Sequence, residues 1–299
     1  MHKERRGPGR PPRVVIPNAP IHGITSEPEN KDNIIEMSYF DPITFKHLFT
    51  LLKNLKVRDI YFKFCKESLT IYTRDNINNR IVITFNCDKM LRYYCKLHEI
   101  NICINRENIQ AVFVNLNKAI SMISISLEAG NDMIQIKLND NELNKTKIRN
   151  VIISEKRPDE VLQNLENEIN QLVPPLSFSL TTRDFKDTIS DATSYGDKIT
   201  IEKHGSCPLI LRFIRAHTNI CSEEYNDETK IDLDTNLEDE SFICTLHTLL
   251  LKCISVSITN NKVGIKCLPN NKAILSSSIG DLINFSILAE NHSSHGFLA

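Results

Sequence analysis

No apolar run in these 299 residues approaches the roughly 18 that a membrane-crossing helix needs. The first thirteen residues hold Lys3, Arg5, Arg6, Arg10 and Arg13 with no apolar stretch behind them, which is not the pattern of a secretory leader. No CxxC pair occurs among the nine cysteines, and their number is odd. Most sit inside apolar segments, so the expectation is reduced thiols at core positions in a cytosolic or nuclear setting. The sequons at Asn144 and Asn291 are then expected to be silent. The common enzyme motifs are missing too: GxGxxG, a Walker loop, GxSxG and HExxH. The nine histidines are dispersed, and His292 with His295 read as tail rather than as a ligand pair. Carboxylates are plentiful, but the acidic stretch lies in sequence of low hydrophobicity, without a pocket to raise a pKa. The expectation is a chain that is not an enzyme and that takes no metal and no cofactor.

What is present is a length and a 41% hydrophobic content sufficient for one large core or two ordinary ones. Net charge is only −1, which by itself argues against nucleic acid. The distribution says more. A basic arm at 3–13 is offset by an acidic stretch at 223–240, where Glu223, Glu224, Asp227, Glu228, Asp232, Asp234 and further carboxylates face a single Lys230. Such segregation suits a molecule with one face toward DNA; a solvated acidic loop is the plainer reading.

Residues 1–33 are rich in proline, arginine and polar residues without apolar periodicity, and read as a disordered arm. From 34 the pattern changes. A strand over 34–40 runs into Asp41-Pro42, an N-cap with proline in the first turn. Phe45, Leu48, Phe49, Leu52 and Leu55 then follow at helical spacing. Short segments rich in Ile, Phe, Tyr and Val read as strands at 59–64, 69–73, 80–85 and 97–104, followed by a helix at 105–117 and strands at 119–127, 132–138 and 147–154. Then the pattern restarts. Phe40, Phe45, Lys46 and Phe49 have counterparts 140 positions later in Leu180, Phe185, Lys186 and Ile189. The second half reads as a strand at 176–181, a helix at 182–194, strands at 198–203 and 207–215, a helix at 242–253, and strands at 254–259, 262–267, 272–277 and 282–288. A charged helical connector, 156–175, ends at Pro174-Pro175. The organisation expected is an arm (1–33), two alike α+β domains (34–155 and 176–290) and a tail (291–299).

The residues themselves carry a resemblance. ITFKHLFTLLKNL at 43–55 resembles the first helix of proliferating cell nuclear antigen (PCNA) sliding clamps, and TRDF at 182–185, with YGD at 195–197 and KITI at 198–201, resembles the start of their second domain. The RRGPGRPP start and the length are similar to those of the PCNA-like proteins of the African swine fever virus group. The resemblance implies a DNA clamp fold: two topologically similar domains, each with two helices packed on antiparallel sheets, and three subunits joined head to tail into a pseudo-sixfold ring around duplex DNA. It implies a polymerase processivity factor in replication and repair. The implied partners are a homotrimer of itself, double-stranded DNA, a clamp loader, and polymerases, ligases and nucleases whose peptides dock beneath the connector. No membrane is involved. The implied location is the host cytoplasm, with the nucleus as alternative.

On this resemblance the channel-facing residues are Lys46, His47 and Lys53 on the first helix; Arg106, Gln110 and Lys118 on the second; Arg183 and Lys186 on the third; and His247 and Lys252 on the fourth. From spacing alone these form a solvated face. The chain departs from the family in placing Ala111, Val114, Asp187 and Ser190 where cations are expected, so the channel is expected to be less basic than usual. The candidate joining edges are 149–154 and 214–221. In the arm, Arg5, Arg6, Gly9, Arg10, Pro11 and Arg13 resemble an AT-hook, whose Gly-Arg-Pro core fits a narrow minor groove; a basic import signal is the alternative. Two further readings stay open: a monomeric AT-hook architectural or regulatory protein, and a ring subunit that assembles only with different chains.

Overall fold

The computed structural model describes residues 23–290 apart from 115, 117, 118, 141, 216–218, 226–230 and 236–240; the side chains of 214, 215, 219 and 220 also lie outside the description. The first half runs β1 (Asn33–Tyr39), α1 (Pro42–Asn54), β2 (Asp59–Cys65), β3 (Leu69–Arg74), β4 (Arg80–Phe85), β5 (Arg92–Cys95), β6 (Glu99–Asn105), α2 (Arg106–Phe113), β7 (Ile120–Glu128), β8 (Met133–Asp140) and β9 (Lys145–Ile152). Two short helices follow, α3 (Glu160–Gln163) and α4 (Leu165–Gln171). The second half runs β10 (Leu176–Thr181), α5 (Thr182–Tyr195), β11 (Lys198–His204), β12 (Leu209–Arg215), β13 (Asn219–Tyr225), β14 (Asp232–Thr235), β15 (Ser241–His247), α6 (Thr248–Ser257), β16 (Lys262–Leu268), β17 (Lys272–Ile279) and β18 (Ile283–Ala289).

Local chemistry sets the helix starts. The Asp41 carboxylate accepts from the Ile43 N–H, and proline follows where a helix has no use for an N–H. The Thr181 hydroxyl accepts from the Asp184 N–H and donates to the Asp184 carboxylate, a reciprocal cap. The apolar stripe of α1 is buried throughout, with the Phe49 and Phe113 rings stacked at 4.8 Å, so α1 and α2 are joined by aromatic packing.

The two halves repeat one topology. In the first, one sheet runs β5-β1-β7-β8-β9 and the other β6-β2-β3-β4; in the second, the orders are β14-β10-β16-β17-β18 and β15-β11-β12-β13. Each strand of the second half thus stands where one of the first stands, β10 for β1 through to β18 for β9. Buried positions set the alignment: Ile136 and Leu275 are both fully buried, as are Ile71 and Leu211. The halves fuse where β18 pairs antiparallel with β4, Phe285 opposite Ile83 and Ile287 opposite Ile81, which makes one nine-stranded sheet. Their counterparts, β9 and β13, are left as sheet edges among the described residues.

Several expectations are corrected. The helix expected over 242–253 begins only at Thr248, because residues 241–247 form β15 against β11; the strand expected at 254–259 is mostly the last turns of α6. β5 was not anticipated. The acidic stretch is not simply a loop, since it opens with β13 and includes β14. The second joining edge is β13, rather than 214–221, which straddles the β12–β13 hairpin. Residues 23–33, expected in a disordered arm, lie against β5. Ile24 bridges Tyr93, and Glu36 accepts the backbone N–H groups of Glu29 and Asn30 at 2.8 and 3.0 Å and the Arg92 Nε at 3.0 Å. Burial works against the Glu36 carboxylate, but these bonds win and hold its pKa below the ordinary value.

Candidate nucleic-acid interface

The four long helices lie in one layer, with α1 packed against both α2 and α6, and α6 against α5. Their apolar faces cover the sheets and their other faces carry most of the cations singled out in the sequence. On α1, Lys46 is half-buried and its Nζ donates to the Leu116 carbonyl at 3.2 Å, while Lys53 is exposed in the last turn. His47 is half-buried. Burial lowers its pKa, Asp41 opposes the shift, and Lys46 and Lys186 reinforce it, so this ring is neutral at physiological pH.

On α2, Arg106 is engaged within the protein: its Nε donates to the Val57 carbonyl at 3.1 Å, and its guanidinium also meets Gln110 and Glu107. Arg106 and Gln110 therefore hold each other, and neither is a free phosphate donor. Lys118 lies outside the described residues. On α5, Arg183 is exposed and sits 3.9 Å from Asp187, and Lys186 donates to the Ile258 carbonyl at 3.4 Å. His247 is the N-cap of α6 at the end of β15, half-buried, rather than a residue of a helix face. Lys252 is exposed on α6. The arm residues Arg5, Arg6, Gly9, Arg10, Pro11 and Arg13 lie outside the described residues.

The structure thus brings Lys46, Lys53, Arg183, Lys186 and Lys252 to one helix layer, and removes Arg106 and Gln110 from the set of free donors. The balance of the layer is weak. Asp184, Asp187 and Asp191 outnumber the two cations of α5, and Glu107 cancels Arg106. Leu249 and Val256 stand exposed on α6, at 47% and 59%. Two exposed cations beside the layer, Lys56 and Arg58, escaped the sequence reading because they fall in the turn after α1 and outside any helical period. Among the described residues no cluster of His, Cys, Asp or Glu is suited to a metal ion.

A second set of charges marks the two sheet edges. β9 carries Lys145, Lys147 and Arg149 on the face that continues to buried Val151, and β13 carries Glu223 and Glu224. Glu223 accepts from the Thr188 hydroxyl at 2.8 Å and the Tyr225 hydroxyl at 3.1 Å, which fixes it toward the helix side. Burial pushes the Tyr225 phenol up to about 12, so it remains a donor.

No protein-family model matches the chain. It is 28% identical over 294 residues to "Uncharacterized protein E301R" of African swine fever virus, in both a Malawi tick isolate and a Kenyan pig isolate, across 96% of this chain and 98% of the relative. Its structure is similar to those of PCNA from Thermococcus kodakaraensis (TM-score 0.72, 13% identity, 86% of this chain) and from Entamoeba histolytica (TM-score 0.69, 14% identity, 87% of this chain), in each case covering the whole of that chain. The fold is therefore that of a DNA clamp, an α+β architecture of two topologically alike halves, and the likeness to PCNA and to the viral group expected from the sequence holds.

Proposed function

We propose that this chain is a DNA sliding clamp: three copies close into a ring whose helix layer faces duplex DNA and whose outside tethers replication and repair enzymes. The observation that carries this reading is the pair of unused edges. Within the chain, β18 joins β4; by the internal repeat, β9 stands for β18 and β13 for β4. A second copy placed as the second half is placed on the first joins β9 to β13, and a head-to-tail step that repeats the intrachain one closes rather than growing a filament.

The register follows from the repeat. Arg149 pairs with Ile136 as Ile287 pairs with Leu275, and Glu223 with Leu211 as Ile83 with Ile71. The intrachain pair Phe285–Ile83 then becomes Lys147 opposite Glu223 between subunits, flanked by Lys145–Tyr225 and Arg149–Cys221. Where the joint inside a chain is apolar, the joint between chains is ionic.

The helix layer supports sliding rather than sequence reading, since exposed lysines touch phosphates and carry no base code. Its small surplus of charge leaves retention to topology, with the basic arm adding contacts. The clamp reading assigns no catalysis to this chain.

The test is topological. Protein is mixed with linear duplex biotinylated at both ends, the ends are capped with streptavidin, and the DNA is washed at moderate salt. A ring stays on capped DNA and leaves when a nuclease cuts it; a monomeric arm-driven binder leaves at the same rate from either.

A further inference from the structure

The connector fills a groove on the opposite side of the molecule from the helix layer. α3 and α4 turn Leu162, Leu165 and Ile169 inward, 4%, 0% and 8% exposed. They pack on Tyr72 and Val82 from the first half and Ile274 and Leu288 from the second, so the groove crosses the β4–β18 joint. The spacing i, i+3, i+7 makes one helical stripe. The rim is polar. Arg80 grips Glu168 with both guanidinium nitrogens and reaches Glu290 at 2.8 Å, Arg74 lies 2.8 Å from Asp159, and the Tyr72 hydroxyl donates to Glu166 at 3.4 Å. Burial, reinforced by Glu166, pushes the Tyr72 phenol up to about 12, which keeps the proton for that bond.

The attachment is by side chains. Among the described residues no backbone hydrogen bond ties 159–172 to either sheet; those of the connector are its own helical ones. The segment leaves through Val173, 76% exposed, into Pro174-Pro175. The groove also outruns its occupant. A cleft of about 790 Å³ continues past α3 between Tyr61, Lys63, Ile102 and Pro158, and one of about 170 Å³ flanks α4 beside Val82 and Phe285.

We propose that the connector is an intramolecular occupant of a docking site for another protein, and that the groove takes an acidic amphipathic helix in its place. Three features define that helix. Apolar residues at i, i+3 and i+7 enter between the two halves, a carboxylate reaches Arg80, and the connector swings out on its exposed ends without breaking a sheet bond. The segment now in the groove displays this pattern itself, and Arg80, with its side chain only 10% exposed, requires an acid opposite. This does not depend on ring closure, so the two readings fail separately.

The experiment uses the full-length chain with 160–171 replaced by a Gly-Ser linker of equal length, and two fluorescent probes read by anisotropy: a peptide of residues 159–172, and an unrelated helical peptide that keeps only the i, i+3, i+7 apolar pattern and the acid at the Glu168 place. Both are expected to bind the linker variant at least tenfold more tightly than the unaltered chain, and Arg80→Met in the linker variant is expected to weaken binding at least fivefold. Should the linker variant fail to fold by circular dichroism, the Leu165→Asp/Ile169→Asp chain, with its connector loosened in place, takes its role. Equal affinity with and without a docked connector overturns the proposal. So does binding by the connector's own sequence alone, which would make the segment a structural strap.

Discussion

Reversing one charge at the proposed joint separates an ionic edge from a neutral one. In the register derived from the repeat, Lys147 stands directly opposite Glu223, and both are half-buried before the subunits meet. A cross-strand ion pair contributes roughly 0.2–1 kcal/mol, and like charges directly opposite cost a similar amount. Lys147→Glu therefore weakens each joint by about 1–2 kcal/mol, on the order of a 5–30-fold loss in pairwise association. A ring with three such joints loses about 3–6 kcal/mol in all. Sedimentation velocity across a concentration series reads this as a shift of the assembly midpoint to higher protein concentration. Glu223→Lys alone also removes the acceptor of Thr188 and Tyr225, so the informative chain is Lys147→Glu/Glu223→Lys, in which attraction is restored with the signs exchanged. It is expected to assemble better than either single variant. A Lys147→Glu chain with the midpoint of the unaltered protein, or a double variant no better than the singles, would refute this register. Because the pair is only partly buried, raising salt toward 1 M, where the screening length falls to about 3 Å, is expected to dissociate the ring while leaving the apolar β4–β18 joint within each chain intact.

Further outcomes follow from the same geometry. Lys53→Ala is expected to lower the salt slope of duplex binding by about 0.9 in log–log form, whereas His47→Gln leaves that slope unchanged at pH 7.5 because the ring is already neutral. Phe113→Ala removes a ring stacked on Phe49 and Phe45 and is expected to cost about 3–5 kcal/mol of unfolding free energy in urea. Asp41→Ala removes the cap of α1 and is expected to cost about 1 kcal/mol by the same assay. The Glu36 carboxylate has a folded pKa below its unfolded one, so its contribution is complete above the ordinary carboxylate range and is lost as pH falls through the folded value. Amide exchange of residues 24–33 is expected to accelerate in that acid window, and in Glu36→Gln at neutral pH.

How far the sequence reveals this molecule varies with the range of the interactions. α1 was legible because its cap, its proline and its apolar stripe all lie within thirteen residues. The 140-residue repeat was legible because the paired positions, Phe45 with Phe185 and Phe49 with Ile189, face the same kind of core. The start of α6 was misplaced because Phe242, Ile243, Cys244 and Leu246 run on into Leu249, Leu250 and Leu251, an apolar stretch that fits both periods. β5, four residues long, has too little length to show alternation. Arg106 was read as a channel cation because nothing local announces that the Val57 carbonyl, 49 residues earlier, occupies it. The joining edges and the groove under the connector are assembled from residues far apart in the chain. Lys145 and Lys147 look like ordinary surface lysines until sheet order makes β9 an edge, and Leu162, Leu165 and Ile169 reveal a buried stripe without saying what covers it.

The most direct measurement of the central claim is the molar mass of the full-length chain by light scattering across a concentration series at low salt. A closed homotrimeric ring gives a plateau at three times 34.2 kDa that does not grow with concentration. A mass of 34.2 kDa at every concentration, or one that climbs without a plateau, would contradict self-assembly through β9 and β13 into a closed ring.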